Sequence, residues 1–206
     1  MSESILRRAF PVMPVVEIHR EEDVLPLAEA LLNGGIHTIE ITLRTPCAVA
    51  AIERLVAADT GIVVGAGTLT APEQVATVCD AGAVFAVSPG FSAPLATAVQ
   101  RRGLQWLPGV ATASEVMAAR SAGFHALKLF PAAAVGGTAL LNAFAGPFAD
   151  IVFCPTGGIS SVNYRDYLAL PNVLCVGGSW VVPVQSIADN DWQAITALAR
   201  QATAGV

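Results

Sequence analysis

The sequence predicts an α/β protein, a single TIM-type (β/α)8 barrel over residues 1–206 with a short N-terminal extension. Two observations carry this expectation. Short apolar runs rich in β-formers begin every twenty to twenty-six residues, and helix-like segments follow them. Alternating strands and helices imply parallel pairing through right-handed crossovers. Eight such units in 206 residues are close to the smallest chain that can close a barrel. An open doubly wound sheet is the alternative. The even spacing favours the barrel, as does the lack of a GxGxxG fingerprint: after Gly65-Ala66-Gly67, Thr68 and Leu69 follow and no third glycine arrives in register. A chain of this length builds one well-buried core and leaves no room for two domains, nor is there a linker to part them.

Taken in order, the strands are expected at Val12–Ile18, Thr38–Thr42, Ile62–Gly65, Phe85–Ser88, Gln105–Pro108, Ala126–Phe130, Ile151–Cys154 and Val173–Val176. Most end in or near Gly, Pro, Ser or Thr, which interrupt a ladder. Helical segments read at Glu21–Leu32, Pro46–Ala58, Pro72–Cys79 and Ser114–Ser121, the last with Ser114 as its cap before Glu115. Trp192–Arg200 reads as a C-terminal helix on the outside.

Composition narrows the function. Apolar residues make up 54% of the chain and charged ones 13%, so most of it is buried and disorder is not expected. The net charge is -5 and the basic residues are scattered, which argues against a nucleic-acid partner. The uncharged stretches Ala81–Gln100, Leu129–Ala149 and Tyr167–Ala188 are each broken by Pro and Gly, so no membrane span is expected. Arg7 and Arg8 precede no apolar run with a cleavage site, and no secretion signal is read. Cys47, Cys79, Cys154 and Cys175 have no CxxC spacing and read as free thiols of a reducing cytoplasm. His19, His37 and His125 stand far apart, so no metal is expected.

Eleven residues are basic, and Lys128 is the one lysine among them. A chain that uses arginine wherever any cation serves keeps lysine where an amine is needed, because guanidinium does not deprotonate near neutral pH. In Ala126-Leu127-Lys128-Leu129-Phe130, alternation sends the leucines toward the helices and Lys128 with Phe130 inward. A buried cation is costly unless paired, and a free amine attacks a carbonyl. The competing interpretation is a structural ion pair with an interior carboxylate.

Glu40 is the candidate carboxylate. In Ile39-Glu40-Ile41-Thr42-Leu43-Arg44 the polar residues Glu40, Thr42 and Arg44 share one face. Glu40 beside Lys128 can move protons, and Arg44 at the rim can clamp a carboxylate; alternatively Glu40 only neutralises Lys128 and Arg44 is solvated. Paired glycines after the seventh and eighth strands, Gly157-Gly158 and Gly177-Gly178, sit where barrels hold phosphate, and Ser179 follows the second pair. Glycine pairs are also ordinary turn chemistry.

Together these segments resemble the bacterial aldolases for 2-keto-3-deoxy-6-phosphogluconate, a family that also acts on 4-hydroxy-2-oxoglutarate. The resemblance runs from Pro14 to Arg200. It is carried by Glu-Ile-Thr-Leu-Arg-Thr at 40–45, Gly-Ala-Gly-Thr at 65–68 and Ser-Pro-Gly at 88–90, then by Lys-Leu-Phe-Pro-Ala at 128–132 and Cys-Pro-Thr-Gly-Gly-Ile-Ser at 154–160. Asn-Tyr-Arg-Asp-Tyr-Leu-Ala-Leu at 163–170 and Gly-Gly-Ser-Trp at 177–180 complete it. It implies a class I aldolase without a cofactor, soluble, cytoplasmic and homotrimeric, whose partner is a small phosphorylated keto acid. Lys128 is then the Schiff-base residue and Glu40 the acid/base. Arg44 and Thr68 would hold the pyruvyl carboxylate, with Pro89 and Phe130 as walls. Thr156 would lie near the aldehyde carbon, and Gly157, Gly158, Gly178 and Ser179 would bind phosphate. Leu129 replaces an aromatic residue frequent in the family, and Glu17 and His19 stand where apolar residues are expected. The rivals are an aldolase for the galactonate epimer and a non-catalytic barrel that senses a sugar phosphate.

Overall fold

Every ladder among the described residues is parallel, so each strand must reach its neighbour through a crossover. The computed structural model describes residues 3–205. Its strands are β1 (Val12–Val16), β2 (Thr38–Thr42), β3 (Val63–Gly67), β4 (Phe85–Val87), β5 (Gln105–Leu107), β6 (Gly109–Val110), β7 (Ala126–Leu129), β8 (Val152–Pro155) and β9 (Val176–Gly178). The helices are α1 (Glu3–Arg8), α2 (Val24–Asn33), α3 (Ala48–Ala57), α4 (Glu73–Asp80), α5 (Ala93–Arg102), α6 (Ala113–Ser121), α7 (Gly137–Ala145), α8 (Tyr164–Leu168), α9 (Val184–Ala188) and α10 (Trp192–Thr203). One curled sheet runs β5-β4-β3-β2-β1-β9 and a second runs β6-β7-β8.

Local chemistry explains the boundaries. Pro108 alone separates β5 from β6; having no N–H it cannot donate to the ladder, yet its carbonyl accepts from Lys128 N at 2.9 Å. The fifth expected strand therefore ends at Leu107, and β6 is a further short strand beyond it. The eighth expected strand, Val173–Val176, instead enters the ladder only at Val176. Isolated bridges pair Phe153 with Val173 and Thr156 with Gly177. The second strand thus spends one residue more than the first between the two bridges, and that mismatch interrupts the ladder as a bulge does. The first strand stops at Val16, short of the expected Ile18.

Helix α6 corrects a second expectation. Its cap is Thr112, whose hydroxyl accepts from Glu115 N at 3.4 Å while the Glu115 carboxylate accepts from Thr112 N at 2.9 Å. That reciprocal capping box places Ser114 inside the first turn. Helix α5 is capped by Ser92 and ends at Gly103, whose φ of 65° suits glycine. Helix α10 lies against α2, where Thr196 and Thr203 donate to the carbonyls of Ala30 and Gly34 at 3.0 Å each.

Alternation sorts the core into two layers. Ile39, Ile41, Leu127 and Leu129 pack outward against Leu27, Leu31, Ile52 and Leu55 of the helices. Each such fully buried side chain contributes about 1.5–3 kcal/mol relative to exposure. Inside, Met13, Phe85, Val87, Leu107, Ala126, Cys154 and Cys175 form a separate cluster with Ile5, Leu6 and Ala9 from the N-terminal segment. Among the described residues no helix is long and apolar enough to cross a membrane.

Candidate active site

Lys128 and Glu40 meet in the interior. Leu127 and Leu129 face the helices, so Lys128 projects the other way from β7 and is only 5% exposed. Glu40 projects inward from β2 and is 2% exposed. The Lys128 Nζ lies 3.5 Å from Glu40 Oε1 and 5.1 Å from the centroid of the Phe130 ring. Glu40 Oε1 is fully buried and has no hydrogen-bond partner among the described residues. A buried carboxylate oxygen with one cation in reach and no hydrogen bond is poorly satisfied for a purely structural pair, and such exceptions concentrate where chemistry occurs.

Two small residues make room for this arrangement. A Cβ on Gly67 would strike the Glu40 carboxylate, and one on Gly65 would strike the Phe85 ring. The Gly65-Ala66-Gly67 segment therefore serves packing inside the sheet, a role its sequence did not reveal. Gly177 does the same for Thr156. Below the pair, the Cys175 thiol is pushed well above its ordinary range, first by its hydrogen bond with Cys154 and then by burial, and so stays protonated.

A cavity of 290 Å³ opens at the C-terminal ends of the strands, where parallel α/β proteins bind their ligands. Of the residues singled out by sequence, Arg44, Phe130, Thr156, Gly157, Gly158, Gly178 and Ser179 line it. Lys128 and Glu40 do not line it, but Lys128 Nζ lies over the ring of Phe130, which does. Thr68 and Pro89 follow β3 and β4 at the same end but do not line the cavity. Thr68 has a φ of 64°, an uncommon backbone for a β-branched residue. A larger groove of 710 Å³ between α2 and α10 is remote from the strand ends and carries no comparable pair.

The two glycine pairs differ. Gly157 and Gly158 form a loop with φ of 98° and 76°, a backbone few other residues adopt. Their carbonyls accept from Ala133 N and Asn163 Nδ2, both at 3.0 Å. Gly177 and Gly178 instead lie largely within β9, with Gly178 leaving space for the Trp180 ring, so the second pair is strand and not loop. Thr42, grouped with Glu40 and Arg44 by alternation, is buried and donates to Val16 O at 3.0 Å.

Glu17 also lines the cavity. Its Oε1 accepts from Arg44 Nη1 at 2.7 Å, and its Oε2 lies 3.9 Å from His19 Nε2. The sequence signal for it was a charge standing where an apolar residue is expected; Val15, two residues earlier, lines the same cavity. Among the described residues no group of three His, Cys, Asp or Glu side chains is arranged to hold a metal ion.

Comparison with known proteins adds to this geometry. Residues 2–198 match the family described as KDPG and KHG aldolase. The chain is 51% identical to the 2-dehydro-3-deoxy-phosphogluconate aldolase of Dickeya dadantii, covering 99% of this chain and 95% of that protein. Among solved structures it is similar to the KDPG aldolase of Legionella pneumophila, with a TM-score of 0.94 and 48% identity over 97% of each chain. That structure holds pyruvate captured at low pH as a covalent carbinolamine intermediate. The Zymomonas mobilis enzyme with 3-phosphoglycerate has a TM-score of 0.92 and 43% identity, covering 98% of this chain and 95% of that one.

Proposed function

Because the chain belongs to the KDPG and KHG aldolase family, we propose that Lys128 forms the Schiff base of a class I aldolase that cleaves 2-dehydro-3-deoxy-6-phosphogluconate. The products are pyruvate and glyceraldehyde 3-phosphate, and 4-hydroxy-2-oxoglutarate is a second substrate. The single observation that carries the reading is the buried Lys128–Glu40 pair at 3.5 Å, with Glu40 Oε1 free of hydrogen bonds.

The reaction follows from these groups. The Lys128 amine attacks the C2 ketone, and loss of water gives an iminium that accepts electrons. Glu40 takes the proton from the C4 hydroxyl, the C3–C4 bond breaks, and the aldehyde leaves. The enamine is protonated at C3 and hydrolysis frees pyruvate. Glu40 is suited to the proton steps because its oxygen faces the amine and is engaged by no other donor. Neither metal nor organic cofactor takes part, since the iminium is the electron sink.

Substrate binding extends the reading. Arg44 grips the pyruvyl carboxylate, with Thr68 assisting from the neighbouring loop, and Phe130 and Pro89 bound the pocket. Thr156 stands near the aldehyde carbon. Gly157 and Gly158, with Gly178 and Ser179 across the cavity, take the phosphate; their support is that all four line the cavity and that the Gly157-Gly158 loop turns at positive φ.

The same reading takes residues 1–206 as one domain and the two sheets as one closed (β/α)8 barrel. Its support is that β5 runs into β6 across Pro108 and that the Thr156–Gly177 bridge links β8 to β9. Met1, Ser2 and Val206 lie outside the described residues. A homotrimer in the cytoplasm follows from the family resemblance, and light scattering of the purified chain tests the trimer. The experiment for the chemistry is borohydride reduction with pyruvate. Irreversible added mass on the Lys128 peptide supports the Schiff base, and an unmodified chain refutes it.

A further inference from the structure

Glu17 places a negative charge in the wall of a cavity assigned to an anionic substrate. It extends β1 toward the rim, with β2 on one side and β9 on the other. Arg44 is the one basic side chain lining this cavity, and among the described residues Glu17 is its one hydrogen-bond partner. The Arg44 side chain is 49% exposed. A long side chain so exposed samples many rotamers unless it is held.

The contact is made through Nη1 alone. Guanidinium is a planar fork, and a carboxylate grips it best by two parallel hydrogen bonds along one edge. Holding Nη1 leaves the Nε–Nη2 edge for that purpose. We propose that Glu17 is a positioning residue that fixes Arg44 over the mouth of the cavity and so presents this edge to the substrate carboxylate. The proposal rests on the reading of Arg44 as the carboxylate clamp. Glu17 also repels the substrate, but at a rim where its own side chain is 35% exposed that repulsion is screened by solvent and salt. Orientation therefore dominates.

Steady-state kinetics on the phosphorylated keto acid test this, using Glu17→Val, Glu17→Gln, Arg44→Met and the double variant, each checked by thermal melting. Glu17→Val is expected to raise KM about five- to tenfold with little change in kcat, the mark of a lost binding contribution. Glu17→Gln keeps an acceptor oxygen for Nη1 and restores KM to within about twofold of the parent enzyme. In the Arg44→Met background, adding Glu17→Val changes KM by less than about twofold, because Glu17 acts through Arg44. A Glu17→Val KM at or below the parent value overturns the proposal and leaves Glu17 as a repulsive charge. An undiminished effect in the Arg44→Met background also overturns it. Should Arg44→Met alone leave KM unchanged, the clamp reading fails first and the proposal falls with it, a result read from the Arg44 variant and not from Glu17.

Discussion

Replacing Gly67 by alanine adds one methyl group, and that methyl meets the carboxylate proposed to carry proton transfer. Gly67 is absent from the positions of positive φ, so alanine fits its backbone and the perturbation is confined to the added Cβ. That atom would overlap Oε1, Cγ and Cδ of Glu40. With Glu40 only 2% exposed, the side chain must turn aside within a packed interior. Overpacking of this kind costs about 1–3 kcal/mol. For a chain of this length each kcal/mol lowers Tm by about 2–4 °C. The kinetic effect is larger, since displacing a catalytic group by ~1 Å costs ~10²-fold in turnover. Lys128 keeps its amine. The assay is pyruvate release against time, with borohydride trapping of pyruvate run to its endpoint and a melting curve on the same samples. Turnover is expected to fall about 10²-fold while the trapping endpoint holds. Gly65→Ala serves as control, because its Cβ meets the Phe85 ring instead and strains the same sheet without touching Glu40. A Gly67→Ala enzyme with parental turnover, or one no slower than Gly65→Ala, refutes the role given to Glu40.

Three further outcomes follow from the site. Lys128→Arg keeps a cation beside Glu40 but supplies no neutral nucleophile, so turnover falls by about four orders of magnitude or more and trapping disappears while the protein stays folded; near-normal cleavage by a folded variant ends the Schiff-base reading. Activity survives dialysis against a strong chelator, and a loss that added divalent metal restores refutes the iminium as electron sink. Ser179→Ala raises KM about tenfold for the phosphorylated substrate and less than about twofold for 4-hydroxy-2-oxoglutarate, measured side by side. Equal losses on both substrates assign Ser179 to folding.

How much of this was legible in the sequence depends on the range of the interactions involved. Period-two alternation is local, and it put Lys128 and Glu40 on inward faces while sending Leu127, Leu129, Ile39 and Ile41 to the helices. The capping box was local too. Thr112 and Glu115 have the spacing of that motif, yet Ser114 drew the assignment because it stands directly before Glu115. The limits of the last strand were not local. They depend on Val176 finding Val12 and Gly177 finding Thr156, partners far away along the chain. The same holds for Gly67, whose purpose becomes visible only when β3 lies beside β2 and the Glu40 side chain fills the space that a Cβ would take. Glu17 was noticed as out of place, but its partner Arg44 belongs to the next strand–helix unit, and only the pairing of β1 with β2 brings the two within 2.7 Å.

The solitary lysine has a practical corollary for spectroscopy. Feeding isotopically enriched lysine during expression marks a single side-chain nitrogen in the chain. That nitrogen belongs to a residue only 5% exposed, where exchange broadening of its resonance is reduced. An iminium nitrogen resonates far from the tetrahedral nitrogen of an amine or a carbinolamine, so one peak would report formation and loss of the proposed iminium without overlap from other residues. Spectral crowding ordinarily denies that view of a lysine enzyme at work; in this chain it requires no mutation at all.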